Sequence, residues 1–113
     1  MELAWQRLCS AEQVPNGQLI GMQISGVKVL VTRIDGDFVA FPPLCPHMAE
    51  PLEVSGICAD GMLTCTKHIW QWDLKTGQAR GEAEKPLLHY PTKLDGNEIW
   101  IDFEQELTYE YDD

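Results

Sequence analysis

The chain has 113 residues, 44% of them apolar, with four Trp, three Tyr and three Phe, which fits one globular domain and excludes a disordered segment. Eighteen acidic residues against eight basic ones leave a formal charge of −10. That balance excludes a nucleic-acid backbone as partner, which needs a basic patch; it fits plain solubility or docking onto a basic protein surface.

The first seven residues hold no basic stretch followed by an apolar core, so no secretory leader is expected. No apolar run approaches bilayer length, and the expected compartment is the cytoplasm. Ser10 is the expected cap of one short turn over 10–13. Turn signals then recur at short intervals, at Pro15-Asn16-Gly17, Ser25-Gly26, Asp35-Gly36, Asp60-Gly61, Thr76-Gly77 and Asp95-Gly96-Asn97. This punctuation predicts an all-β chain. Strands are expected over 18–24, 27–34 and 38–41 as a meander, with Asp35-Gly36 closing a tight hairpin. Two more are expected over 87–94 and 98–103, joined by 95–97. In the last of these, Ile99, Ile101 and Phe103 alternate with Trp100 and Asp102, a period of two. No segment carries a long helical period. The two ends, about 1–41 and 87–113, would form a β-sandwich base within one domain, and about 42–86 a smaller insert of two loops and short strands. Asp35, Asp37, Asp60 and Asp73 read as turn residues. Residues 104–113, with five acids and two tyrosines, read as a partly ordered acidic tail.

The insert carries the chemistry. Cys45-Pro46-His47 and Cys65-Thr66-Lys67-His68 are two Cys/His pairs with seventeen residues between them. Structural zinc sites usually group two Cys at one end and two His at the other. Here each loop offers one thiolate and one imidazole. That pairing suits a centre with two different metal positions, one taking both sulfurs and one both nitrogens, as in a Rieske [2Fe–2S] cluster.

Together with Ile69-Trp70 after the second His, and Leu88-His89-Tyr90-Pro91 as a return strand, these residues resemble Rieske-type ferredoxins. The likeness is greatest to the ferredoxin component of bacterial multicomponent aromatic monooxygenases, the toluene monooxygenase group. The resemblance implies one Rieske [2Fe–2S] cluster per chain, with Cys45 and Cys65 on the inner iron and His47 and His68 on the outer. It also implies a soluble, monomeric one-electron carrier, not an enzyme alone. Such a carrier takes electrons from an NADH-dependent flavin reductase and passes them to a di-iron hydroxylase, both by transient docking. Independently of any family, replacing two thiolates by neutral imidazoles removes negative charge and eases reduction, so Rieske potentials lie at about −150 to +300 mV against about −400 mV for plant-type ferredoxins. High-potential relatives place hydroxyl donors by the cluster and a disulfide between the ligand loops. Ile69-Trp70-Gln71-Trp72 has no hydroxyl and the ligand loops no second Cys pair, so a potential at the low end is expected.

Four other readings use the same residues. The ferredoxin of a ring-hydroxylating dioxygenase carries the same ligand motif, but tends to have a small residue where Ile69-Trp70 stand; the small subunit of assimilatory nitrite reductase is also Rieske-like. A structural zinc module would use the four ligands for protein binding instead. A Cys45/His47 hydrolase dyad would lack an orienting third group. Cys9 and Cys58 read as buried apolar thiols, because a reducing cytosol disfavours a disulfide. Trp70 and Trp72, two apart, are expected to pack on one face of a strand beneath the second loop; the alternative places Trp70 near the exposed His edge, in partner contact or electron tunnelling. Pro42-Pro43 stiffens the approach to Cys45, Pro86 begins the return to the base, and His89 is expected at the base's surface or rim, not as a ligand.

Overall fold

A computed structural model of the chain describes residues 5–24, 26–34, 36–45, 51–59, 61–66, 69–81, 83, 85–103, 107 and 109. The fold is all-β, with one short 3-10 turn and one helical turn among the described residues. Its strands are β1 (Trp5–Ser10), β2 (Ile20–Ile24), β3 (Val27–Ile34), β4 (Asp37–Phe41), β5 (Gly56–Ala59), β6 (Met62–Cys65), β7 (Trp70–Asp73), β8 (Ala79–Arg80), β9 (Thr92–Asp95) and β10 (Glu98–Asp102). The helical turn α1 is Leu52–Ser55. Three antiparallel sheets result, ordered β1-β10-β9, β2-β3-β4 and β5-β6-β7-β8.

The β2-β3-β4 meander forms as the turn residues require. Ile34 pairs with Asp37, leaving a two-residue hairpin turn in which Gly36 takes φ +88°, a conformation open to glycine. The same device closes β9 onto β10, with Asp95 opposite Glu98 and Gly96 at φ +63°. β3 is apolar on both faces at its centre, Val29-Leu30-Val31, because both are covered there. Val29 and Val31 enter one core with Leu8, Val14, Ile24, Ala40, Ile99 and Ile101. Leu30 and Ile34 enter a second core with Phe41, Leu52, Leu63, Trp72 and Leu87. The meander is therefore a shared wall, with β1-β10-β9 packed on one side and β5-β6-β7-β8 on the other.

Several expectations need correction. β1 lies in the stretch 5–10, for which no strand was expected. The strand expected over 87–94 is confined to Thr92–Asp95. Pro91 has no N–H to give a ladder, and the segment before it bonds elsewhere: Leu87 N–H to the Gly77 carbonyl at 2.8 Å and Tyr90 N–H to that of Ala40 at 2.9 Å. The strand expected over 18–24 begins at Ile20. Asp37 is the first residue of β4 rather than a turn residue, while Asp35 and Asp60 lie outside the described residues. The turn after Ser10 is present over Ala11–Gln13, with Gln13 Oε1 accepting the Ser10 N–H at 3.0 Å. Most of the acidic tail also lies outside the described residues, but its described members are tied down. Leu107 N–H donates to the Tyr90 hydroxyl, and Leu88 N–H to the Tyr109 hydroxyl, each at 2.9 Å.

Candidate metal centre

Cys45 and Cys65 have no solvent exposure and belong to the second core. Each sits at the mouth of a loop that the backbone pinches shut. For the first loop, Leu44 bridges to Pro51 and Leu52 N–H donates to the Pro43 carbonyl at 2.8 Å. Leu52, itself fully buried, anchors the loop's exit in the core through α1. For the second, Cys65 ends β6 and pairs with Trp70, the first residue of β7. Four residues span that gap, and Ile69 N–H donates back to the Cys65 carbonyl at 2.7 Å. Ile69 closes this turn at φ +59°.

The wall behind the cysteines is tightly packed. Gly56 opposes Cys65 across β5 and β6, and a Cβ there would lie 2.5 Å from the Leu52 carbonyl oxygen and 3.2 Å from Leu63 Cδ1. Trp70 and Trp72 point to one face, as expected, and both are buried. Their rings meet edge-on at 6.2 Å and 64°, a favoured aromatic geometry. Trp72 Nε1 donates to the Lys85 carbonyl at 2.8 Å, which pins the chain just before Pro86 turns it back to the base. Asp73 ends β7 and its carboxylate serves the turn that follows, accepting the Lys75 N–H at 2.9 Å and the Thr76 N–H at 3.3 Å. Those backbone donors, with Arg80, hold its carboxyl below the usual carboxylate range.

The structure brings Cys45 and Cys65 into one apolar core; His47 and His68 lie outside the described residues. All four cysteines are thiols rather than disulfide halves. The other two differ from this pair in chemistry and place. Cys9 is in the first core, where burial raises its pKa, against Arg7. Cys58 is only half-buried, contrary to expectation, because β5 is an edge strand whose inner face opens onto a cleft near Asn16, Ile34 and Met62. Burial still pushes its thiol up to about 11, with the Thr32 hydroxyl pulling the other way. His89 is half-buried, its ring 6.5 Å from that of Phe41. It sits on the rim of the second core, and burial lowers its pKa despite Asp73. Two buried thiols in an apolar cage, each followed within three residues by a histidine, fit a sulfur-and-nitrogen iron centre on donor chemistry.

A family model for the Rieske [2Fe-2S] domain matches residues 4–91. The chain belongs to the Rieske [2Fe–2S] domain family. This Rieske chain is 39% identical to the methanesulfonate monooxygenase ferredoxin subunit of Methylosulfonomonas methylovora, covering 98% of this chain and 90% of that one. It is 26% identical to the ferredoxin component of the alkene monooxygenase system of Xanthobacter autotrophicus, over 88% and 82%. Among solved structures it is similar to the ferredoxin of carbazole 1,9a-dioxygenase from Nocardioides aromaticivorans, with TM-score 0.75 and 25% identity over 87% of this chain and 96% of that one. Its cofactor is accordingly a Rieske [2Fe–2S] cluster, and it is a ferredoxin, an electron carrier rather than an enzyme by itself. Among the described residues, no helix is long and apolar enough to cross a membrane.

What sequence reasoning missed is the cage. Leu30, Phe41, Leu52 and Leu63 come from four separate elements, and no local signal links them. The left-handed backbone of Ile69 was equally hidden, since isoleucine is among the residues least expected there.

Proposed function

We propose that Cys45, His47, Cys65 and His68 hold the cluster, and that the chain ferries single electrons from an NADH-dependent flavin reductase to the hydroxylase of a multicomponent aromatic monooxygenase in the cytoplasm. The observation that carries the ligand assignment is the full burial of Cys45 and Cys65 in one apolar core, each at a pinched loop whose next metal-binding residue is a histidine. When bound, the cluster supplies reversible one-electron chemistry. The chain's part is to exclude water from the two thiolates with Leu52, Leu63 and the Trp70–Trp72 pair, and to hold the ends of both loops through the Leu44–Pro51 bridge and the Cys65–Trp70 pairing. Base (about 1–41 and 87–113) and insert (about 42–86) act as one monomeric domain.

Oxygen activation takes two electrons, so the carrier docks twice per turnover. A chain of charge −10 meets a basic docking site quickly, and added salt slows that encounter. The names of the relatives support an oxygenase as acceptor, and that of the structural neighbour keeps a dioxygenase system as the second reading.

Reconstitution tests the proposal. The purified chain, with reductase and oxygenase components of a toluene-type monooxygenase, is expected to give NADH-dependent hydroxylation that salt suppresses. Cys45→Ser and Cys65→Ser are expected to lose the iron and the Rieske EPR signal. Turnover only with a ring-hydroxylating dioxygenase would move the assignment to the second reading. Retention of a full cluster in both serine variants would remove the ligand assignment.

A further inference from the structure

Ile69 occupies a conformation that the fold elsewhere reserves for glycine. Eight described residues have a left-handed φ; seven are Gly17, Gly26, Gly36, Gly61, Gly77, Gly81 and Gly96, and the eighth is Ile69 at +59°. A side chain branched at Cβ is disfavoured there by its clash with the backbone. Strain of this kind persists only where the surroundings impose it. Here the turn bond from Ile69 N–H to the Cys65 carbonyl, at 2.7 Å, imposes it.

Among the described residues nothing repays that strain through packing: the Ile69 side chain is 66% exposed, the most exposed of the large apolar residues described. Ile57 and Leu94, at 56% and 53%, sit in regular strands where exposure of one apolar residue needs no explanation. A glycine at position 69 would make the same turn without strain, so the side chain itself has a use outside the chain. Its neighbours say what kind. Trp70, next in sequence, is buried and roots the loop in the second core, so the isoleucine stands on a fixed base. The residue before it is His68, one of the proposed ligands.

We propose that Ile69 is a docking residue, held outward so that it is buried in an apolar recess on the oxygenase that accepts electrons from this chain. This rests on the proposed function. The acidic surface brings the partners together, and a single rigid apolar contact beside the second ligand loop then fixes their register, a division of labour in which charge governs encounter and packing governs fit.

The test compares Ile69→Asn and Ile69→Gly with the parent chain, using Leu94→Asn as the control for an exposed apolar residue on the base. The oxygenase is the component used in the reconstitution. Both Ile69 variants are expected to keep their cluster absorbance to a higher denaturant concentration than the parent, because asparagine and glycine accept the left-handed conformation. Their midpoint potential and their rate of reduction by the reductase are expected to match the parent. The ferredoxin concentration that half-saturates oxygenase reduction should rise about tenfold, with the limiting rate kept, as for losing one buried isoleucine contact. Leu94→Asn should leave it unchanged. Half-saturation at the parent's concentration in both variants overturns the inference, as does a loss confined to the reductase step, or a parent dimer in solution that Ile69→Asn dissociates. A parent chain unable to reduce the oxygenase removes the proposed function and this inference with it. An active parent matched by both variants removes the inference alone.

Discussion

Gly56→Ala tests the wall behind Cys65. The backbone of Gly56 is ordinary, at φ −92° and ψ 142°, so alanine there meets no conformational objection and its whole effect is steric. The new methyl would lie 2.5 Å from the Leu52 carbonyl oxygen, 3.2 Å from Leu63 Cδ1 and 3.3 Å from Leu19 Cδ1. The Leu52 oxygen cannot easily withdraw, because it accepts the Gly56 N–H that ends α1. Either α1 or β5 must shift, and β5 is paired to Cys65 through Gly56 itself. Overpacking of this kind costs about 1–3 kcal/mol, offset by roughly 0.4–1 kcal/mol from a less flexible unfolded chain. The net loss, about 1–2 kcal/mol, should lower a urea midpoint by roughly 0.5–1 M. Urea unfolding followed by visible absorbance and far-UV circular dichroism reads both parts of the effect. The cluster absorbance is expected to fall before the β-sheet signal, because the shifted strand is the one beside Cys65. Gly61→Ala is the control; its φ is +76° with nothing near its Cβ, so it should cost stability of about 1 kcal/mol and leave the cluster's absorbance unaltered. A Gly56→Ala chain with the parent's midpoint and absorbance would refute the close approach of α1 to β5.

Three further outcomes are expected. Trp72→Phe removes the bond to the Lys85 carbonyl and part of a fully buried ring, so unfolding should become easier by about 2 kcal/mol, measured in urea. His89, with its folded pKa held below 6.5 by burial, takes up a proton more readily unfolded than folded; stability should therefore fall as pH drops below about 6.5, and His89→Gln should flatten that slope. The midpoint potential should lie at the low end of the Rieske span of about −150 to +300 mV and stay flat near neutral pH, and a redox titration placing it far above 0 mV would refute the reading drawn from Ile69-Trp70-Gln71-Trp72.

The parts of this molecule that were legible in its sequence are those written in local chemistry. Asp35-Gly36 and Gly96-Asn97 announce their hairpins because only certain residues make such turns, and the β-branched, largely apolar stretch of β3 around Val29-Leu30-Val31 marks a strand. The Rieske family was legible for the same reason, since the donor types and spacing of Cys45-Pro46-His47 and Cys65-Thr66-Lys67-His68 belong to the chain itself. β1 was not, because Trp5-Gln6-Arg7-Leu8 has no strict alternation and its pairing partner, β10, lies ninety-odd positions away. The over-long strand at 87–94 failed through the same non-locality: the apolar side chains of Leu87 and Tyr90 are buried, but their backbones answer to Gly77 and Ala40. Ile69 shows the limit most plainly, since its conformation follows from how a turn closes between two paired strands.

The two-sided burial of β3 bears on how this protein could be divided. Val29, Leu30, Val31 and Thr32 are all without solvent exposure, one pair of alternating positions facing each core. Cutting out about residues 42–86, the stretch proposed to bear the ligands, and rejoining the ends would uncover Leu30, Ile34, Val39 and Phe41 together, a contiguous apolar wall of the kind that makes a chain aggregate. A miniaturised base would have to be repainted with polar residues along that wall before it could stand alone. Transplanting the insert onto another scaffold would have to bring the same wall along. The unit that can be inherited, swapped or engineered is the whole chain, because one strand is masonry for both rooms.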